Sequence, residues 1–369
     1  MHAFLSCAAA DGQGLLPPNF VRSRYSAASV DQLRRFHLDS YLSALESQHG
    51  LSVDDLEAAG LRYDCPPFDD CLLYARLVAG GALAGADALR SDTCDVAIHW
   101  DGGRHHAQRD AAAGFCYVND VVLAVQRLRA KPDAVRGQRS FSRVMVVDVD
   151  IHHCDAVADA FYNTDSVLVI SAHKFLSGFF PGTGDSDQTG AGRGTGHTLN
   201  LPLTDGITDE PFVRLITRLV RSAADIYDPE CCVLVCGADG LAGDPLGGWC
   251  LTPGALARCA LVCASLPGEC PLLVLGGGGY DSANAARAWA IVTAALTTTR
   301  RGEGDGDIAK LMALPVPDHE HLLRYGPTFR MWDATQAAHL VPDGNCLATL
   351  EDNVDALIAV LDSQYEAHD

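Results

Sequence analysis

No two cysteines in this chain are spaced C-x-x-C, although its 369 residues hold 14 of them. Paired-cysteine zinc motifs and thioredoxin-like redox motifs are therefore excluded. Cys232/Cys236 and Cys259/Cys263 lie inside apolar runs and read as small buried hydrophobes. No apolar run reaches the roughly 18 residues a membrane span needs, so no membrane partner is expected. No signal-peptide pattern opens the chain, so a reducing, intracellular setting is expected. Cations are scarce: 27 Lys and Arg stand against 47 Asp and Glu, a formal charge of −20. Nucleic-acid affinity rests on clustered Lys and Arg, so no direct nucleic-acid binding is expected. An acidic surface suits cationic partners, and it also serves solubility. Linker-like, low-complexity and repeated segments are missing as well. The simplest organisation is one large α/β domain over 29–369, preceded by a divergent or truncated segment over 1–28.

What is present is organised around Arg143 to Asp155, RVMVVDVDIHHCD. Val144 to Val147 form a short β-branched run, the pattern of a buried parallel strand. Asp148, Asp150 and His152 follow at period two, so they project to one side of an extended segment. Buried carboxylates need compensation, because an unpaired buried charge costs several kcal/mol. A bound cation is the natural compensator, and ligands of open parallel sheets sit at the carboxyl ends of strands.

Further strands are expected over 94–100, 167–171, 232–236 and 272–275. Helices are expected over 29–49, 69–89, 119–129, 155–162, 211–227, 253–264 and 283–296, with an amphipathic stretch at 351–361. Ser29 and Asn119 are N-cap residues. Gly80, Gly81 and Gly85 in the second helix point to close packing against a neighbour. The glycine-rich segment 178–196 reads as a long functional loop. Strands alternating with helices predict a parallel sheet covered on both faces.

Four strand ends then carry polar groups: His105/His106, Asp148 to Asp155, Asp239/Asp244 and Tyr280. In a parallel sheet such ends share one edge. Asp150, His152 and Asp239 are the metal candidates, since two carboxylates and an imidazole leave a coordination position open. Without cysteine ligands, Zn²⁺, Fe²⁺ and Mn²⁺ all suit them. His105 and His106 can form dyads with Asp148 and Asp155, giving a general acid and base. Gly276 to Gly279 lack the Lys-Ser/Thr of a phosphate loop. They are expected to let a substrate chain approach closely, with Tyr280 stabilising an oxyanion. Phe115 and Phe180, in glycine-flanked loops, are expected to line a groove.

His105-His106, GFCYVND (114–120), DVDIHH (148–153), HKF with GFFPGTGD (173–185), GADGLAGD (237–244) and LGGGGY (275–280) occur in this order. Together they resemble the zinc-dependent histone deacetylases, class I, most of all the histone deacetylase 8 type. That resemblance implies an arginase/deacetylase three-layer α/β sandwich with a single parallel sheet of about eight strands. It implies hydrolysis of N-ε-acetyl-lysine in histone tails or other acetylated peptides. Zinc would sit on Asp150, His152 and Asp239. His106 with Asp155 would be the general base and acid, His105 with Asp148 an electrostatic partner, and Tyr280 the oxyanion donor. Gly114, Phe115, Phe180 and Leu246 would form the acyl-lysine channel, with Asp64 gripping the substrate backbone. Potassium would be bound by Asp148, Asp150, His152, Ser171 and Ala172, and a second ion by Phe161, Thr164 and Val167. Nuclear or cytoplasmic residence and corepressor partners are also implied. The chain departs from the family pattern at three positions. Arg104 replaces an apolar residue. Cys154 replaces a glycine, where a left-handed conformation would be strained. His197 replaces a tyrosine near the second potassium site.

Overall fold

The computed structural model describes residues 21–132, 137–298, 305–332 and 341–366. Six strands form its sheet: β1 (Val96–His99), β2 (Val144–Asp148), β3 (Val167–Lys174), β4 (Thr198–Leu203), β5 (Cys231–Val235) and β6 (Leu272–Leu275). All pairs are parallel and the order is β1-β6-β5-β2-β3-β4. The expected eight strands are thus six among the described residues. Leu241 and Leu251 meet parallel, but only as an isolated bridge, because the loop between them turns before a ladder forms.

Strand alternation divides the interior into two cores. Val144 and Val146 of β2 and Val167 and Val169 of β3 face one side. They pack there against α1 (Val30–Leu33), α2 (Asp39–Glu46), α4 (Cys71–Arg90), α5 (Asp120–Leu128) and α6 (Asp155–Phe161), with α3 (Val53–Ala58) at its margin. Met145, Val147, Leu168 and Ile170 face the other side. Their partners are α7 (Asp209–Tyr227), α8 (Pro253–Ala264), α9 (Ser282–Thr298), α10 (Asp305–Ala313) and α11 (Leu347–Glu366). The result is a three-layer sandwich, as the period-two pattern demands.

Three departures from the sequence pattern have local causes. The helix expected over 29–49 starts with the Ser29/Gln32 capping box but stops at Leu33. Tertiary hydrogen bonds take the chain out of helix there: Leu38 N donates to Arg109 O at 2.8 Å, and His37 Nε2 accepts from Asn119 N at 3.0 Å. β4 escapes the pattern because Asn200 and Pro202 interrupt it. Proline is tolerated since β4 is an edge strand. Cys154 adopts φ −78°, ψ 56°, not the left-handed conformation, so no strain arises from the missing glycine.

α4 is long and apolar enough by composition to cross a membrane, yet it lies between β1 and α5 as a core helix. Its glycines allow this. A Cβ on Gly80 would meet Ser26 O at 2.2 Å, one on Gly81 the His99 ring at 2.1 Å, and one on Gly85 Leu273 Cδ1 at 2.7 Å. His99 is held in place by its Nε2 contact to Val78 O, 3.0 Å. In a solvent-facing helix, Gly→Ala gains up to about 1 kcal/mol. Gly81→Ala is expected instead to lose about 1–3 kcal/mol through overpacking, read as a lower midpoint in urea unfolding.

Candidate active site

The strand order reverses beside β2: the chain runs outward through β3 and β4, then returns to place β5 on the other side of β2. Such a switch point opens a crevice at the carboxyl ends of the strands. The register sets Asp148 of β2 opposite both Ser171 of β3 and Val235 of β5. Asp150 and His152 therefore leave β2 beside Asp239, which follows β5.

The ligand atoms of Asp150, His152 and Asp239 all lie within 4.8 Å of one another, and all three residues are buried. His152 Nδ1 is 3.1 Å from Asp150 Oδ1 and 3.0 Å from Asp239 Oδ2. Their electrostatics reveal an excess of negative charge. Burial, then the neighbouring Asp150 carboxylate, pushes Asp239 up to about 7. His152 is burdened by burial, but bonds to Asp150 and Asp239 outweigh it and bring the imidazole up to about 10. Asp150 goes the other way: against burial, His105 and His152 hold it well below the usual carboxylate range. Two buried acids converging on one imidazole are fitted to a divalent cation, which neutralises both at once.

Two of the four glycines over 276–279, Gly277 and Gly278, pack against this cluster. Gly278 N donates to Asp150 Oδ2 at 2.6 Å. A Cβ on Gly278 would lie 2.0 Å from Asp239 Oδ2, and one on Gly277 2.8 Å from Asp150 Oδ2. Side chains there would collide with Asp150 and Asp239.

Two imidazole–carboxylate pairs face the cluster. His105 Nδ1 lies 2.8 Å from Asp148 Oδ2, and His106 Nδ1 lies 2.8 Å from Asp155 Oδ1. The rings are 3.9 Å apart, yet their charges diverge. Burial opposes a charged His105, but Asp148 and Asp150 prevail and raise it to about 9. Burial and the cationic His105 together lower His106 to about 4, against the pull of Asp155. Two adjacent titratable groups driven apart are the signature of divided acid–base roles. Tyr280 is held protonated, first by burial and then by Asp239 and Asp150.

The rim is aromatic. Phe180 meets the His106 ring edge-on at 4.9 Å, and Phe115 meets Tyr280 at 5.7 Å. Gly114, at φ +54°, lies between His106 and Phe180, where a Cβ would come 2.5 and 2.9 Å from them. Asp64 is exposed, and its Oδ2 accepts the Gly114 amide at 2.6 Å, so it fixes this loop. Leu246 is also exposed. Its amide donates to Asp244 Oδ1 at 2.9 Å, while Asp244 Oδ2 takes the Tyr280 amide at 2.7 Å. Asp244 thereby ties the Leu246 loop to the Tyr280 backbone.

The residues expected for potassium fall into two separate groups. Ser171 and Ala172 are buried beside Asp148. Phe161 O accepts from Thr164 N at 3.1 Å, just before β3 begins at Val167. His197 contacts Tyr365 Oη through Nε2 at 3.1 Å and the Thr195 carbonyl through Nδ1 at 3.0 Å. Cys65 and Cys116 are both buried free thiols, each pushed up to about 12 chiefly by burial.

Phe179 and Lys174 are site residues that sequence reasoning missed. The Phe179 ring stacks on His152 at 5.0 Å and 7°. Lys174 Nζ sits 4.3 Å from the Phe179 centroid and 2.6 Å from Asp205 Oδ1. Their only sequence signal was membership in a glycine-rich loop and a strand end.

Buried acids short of positive charge, within reach of a neutral imidazole base, are what a metal-dependent hydrolase requires, and the fold and site define that class. Comparison with known sequences narrows it. A sequence model of the histone deacetylase domain matches residues 5–296. Histone deacetylase 8 of Danio rerio is 41% identical over 308 residues, covering 82% of this chain and 75% of that one. Histone deacetylase 8 of Xenopus tropicalis is 40% identical over 306 residues, covering 82% and 77%. Histone deacetylase 6 of Arabidopsis thaliana is 42% identical over 278 residues, covering 74% and 56%. The chain belongs to the histone deacetylase family, in its class I branch, and is a lysine deacetylase.

Asp239→Asn removes one of two acids that share a cation. Dialysed protein analysed by atomic emission is expected to hold divalent metal with an affinity loss beyond the roughly 10–100-fold typical of supporting partners.

Proposed function

We propose that this chain hydrolyses N-ε-acetyl-lysine in histone tails or other acetylated proteins, with zinc on Asp150, His152 and Asp239. The observation that carries the reading is the divergence of the two adjacent histidines beside that buried triad. Fe²⁺ suits the same oxygen and nitrogen donors. When bound, the metal supplies Lewis acidity toward the acetamide oxygen and the attacking water.

The remaining work falls to side chains. His106 is neutral near pH 7, and with Nδ1–H donated to Asp155 its Nε2 is free to take a proton from water. The same nitrogen then returns the proton to the departing lysine amine. His105, kept cationic by Asp148, adds a fixed positive charge beside the developing oxyanion. Tyr280, kept protonated, donates its phenol hydrogen to that oxyanion. Phe115 and Phe180 give the lysine methylenes an apolar passage, with Gly114 and Leu246 at its edge. Asp64 braces the loop that carries Gly114 and offers its second oxygen to a substrate amide. Ser171 and Ala172, with Asp148, Asp150 and His152, hold one potassium ion; Phe161, Thr164 and Val167 hold another. Basic histone tails complement the charge of −20, which fits nuclear or cytoplasmic action.

Hydrolysis of an acetyl-lysine peptide by zinc-loaded protein tests this. Tyr280→Phe is expected to lower kcat by about 10²–10³, and a chelator should abolish turnover reversibly. A folded, zinc-loaded protein with no turnover on any acetyl-lysine peptide would sink the reading.

A further inference from the structure

The segment 175–184 carries two rings that meet active-site imidazoles, Phe179 on His152 and Phe180 on His106. Little packs around its middle. Leu176 and Phe180 are 37% and 42% exposed, too open for apolar burial to hold them in one place. Gly178 and Gly182 stand at φ +82° and +80° in open space. A Cβ on the first would meet nothing within 4 Å, and one on the second only Phe179 O at 3.8 Å. Such a stretch is free to move unless its ends are fixed.

Both ends are fixed. At entry, Lys174 N donates to Ile151 O and Phe175 N to Leu203 O, each at 2.8 Å. At exit, two buried histidines take hold, His153 and His173, with ring centroids 4.5 Å apart. His153 Nδ1 lies 2.8 Å from Thr183 Oγ1. His173 Nε2 lies 2.8 Å from Gly184 O, which can only accept, so that nitrogen carries the hydrogen. Ser171 Oγ meets the other nitrogen, Nδ1, at 2.9 Å. Gly184 leaves no slack: at φ +96°, a Cβ there would sit 2.3 Å from His173 Nε2 and 2.7 Å from His153 Cδ2. Its amide donates to Gln188 Oε1 at 2.9 Å, and Gln188 O accepts from Asn200 Nδ2 at 3.0 Å. Under the deacetylase reading, on which this inference rests, the lysine stem passes along Phe180, and the hydrolysis itself uses neither His153 nor His173. We propose that His153, His173 and Thr183 are positioning residues, a clamp that sets the aromatic wall of the lysine channel through Phe180. A clamped wall meets the substrate already ordered, whereas a loose one must be ordered at each binding event, which weakens binding.

Thr183 is exposed, so its variants are expected to fold, and Thr183→Val keeps the side-chain shape while removing the hydroxyl. In the full-length, zinc-loaded protein acting on an acetyl-lysine peptide, it is expected to raise KM about threefold to tenfold, the value of one hydrogen bond. The same variant should leave kcat within about twofold, the pattern of lost binding and not of lost chemistry. A merely destabilised protein would instead lose active fraction, and with it kcat. Thr183→Ser restores the hydroxyl and is expected to restore KM. In Phe180→Ala, whose KM is already raised, Thr183→Val should add nothing. An unchanged KM in Thr183→Val overturns the proposal. A serine variant that fails to rescue overturns it too, as does an effect that adds in full to that of Phe180→Ala. A ¹⁹F NMR measurement reads the clamp without turnover. With 4-fluorophenylalanine at position 180, Thr183→Val should move the resonance toward that of the solvated ring, and Thr183→Ser should not. An unmoved resonance overturns the clamp whether or not the protein is active. If the wild type hydrolyses nothing, the shift upholds the clamp while the deacetylase reading falls.

Discussion

The structure depends on one electrostatic constraint: four acids, Asp148, Asp150, Asp155 and Asp239, gather at the carboxyl edge of a buried parallel sheet. Isolated in a protein interior, carboxylates of this kind carry a desolvation penalty of several kcal/mol each. Each therefore has an assigned partner. Asp148 and Asp155 hold histidines, while Asp150 and Asp239 converge on His152 and on backbone amides of Ile151 and Gly278. Gly277 and Gly278 follow from the same demand: a side chain at either would collide with Asp150 or Asp239, and the Gly278 amide donates to Asp150.

This constraint also divides labour between two histidines that are adjacent in sequence. They have the same chemistry and the same kind of partner, and their rings nearly touch. His105 sees two carboxylates and becomes the cation; its charge then helps drive the proton off His106. One imidazole is thus held cationic and the other neutral.

Around this centre the protein uses rigidity of an ordinary kind. Stacking of Phe179 on His152, backed by Lys174 and Asp205, restrains the imidazole ring. Asp244 couples the Tyr280 backbone to the Leu246 loop, and Asp64 couples the rim to Gly114. These contacts place loops, which are otherwise the least constrained parts of an α/β fold, at fixed distances from the strand ends.

Much of this was legible in the residues themselves. The short apolar runs of β2, β3, β5 and β6 announce a buried parallel sheet, because such a strand hides both faces. Polar residues clustered at the ends of apolar runs announce a site, because acids there need a partner. What the residues did not disclose depends on contacts between distant segments. The break in the helix after Leu33 follows from bonds to Arg109 and Asn119. β4 forms despite Pro202 because an edge leaves one side unpaired. The packing of Gly277 and Gly278 against the acids and the opposite protonation of His105 and His106 are likewise invisible in a string of letters. Each is set by which charges the fold brings together and how far it keeps them from water, and that is decided only when the sheet closes.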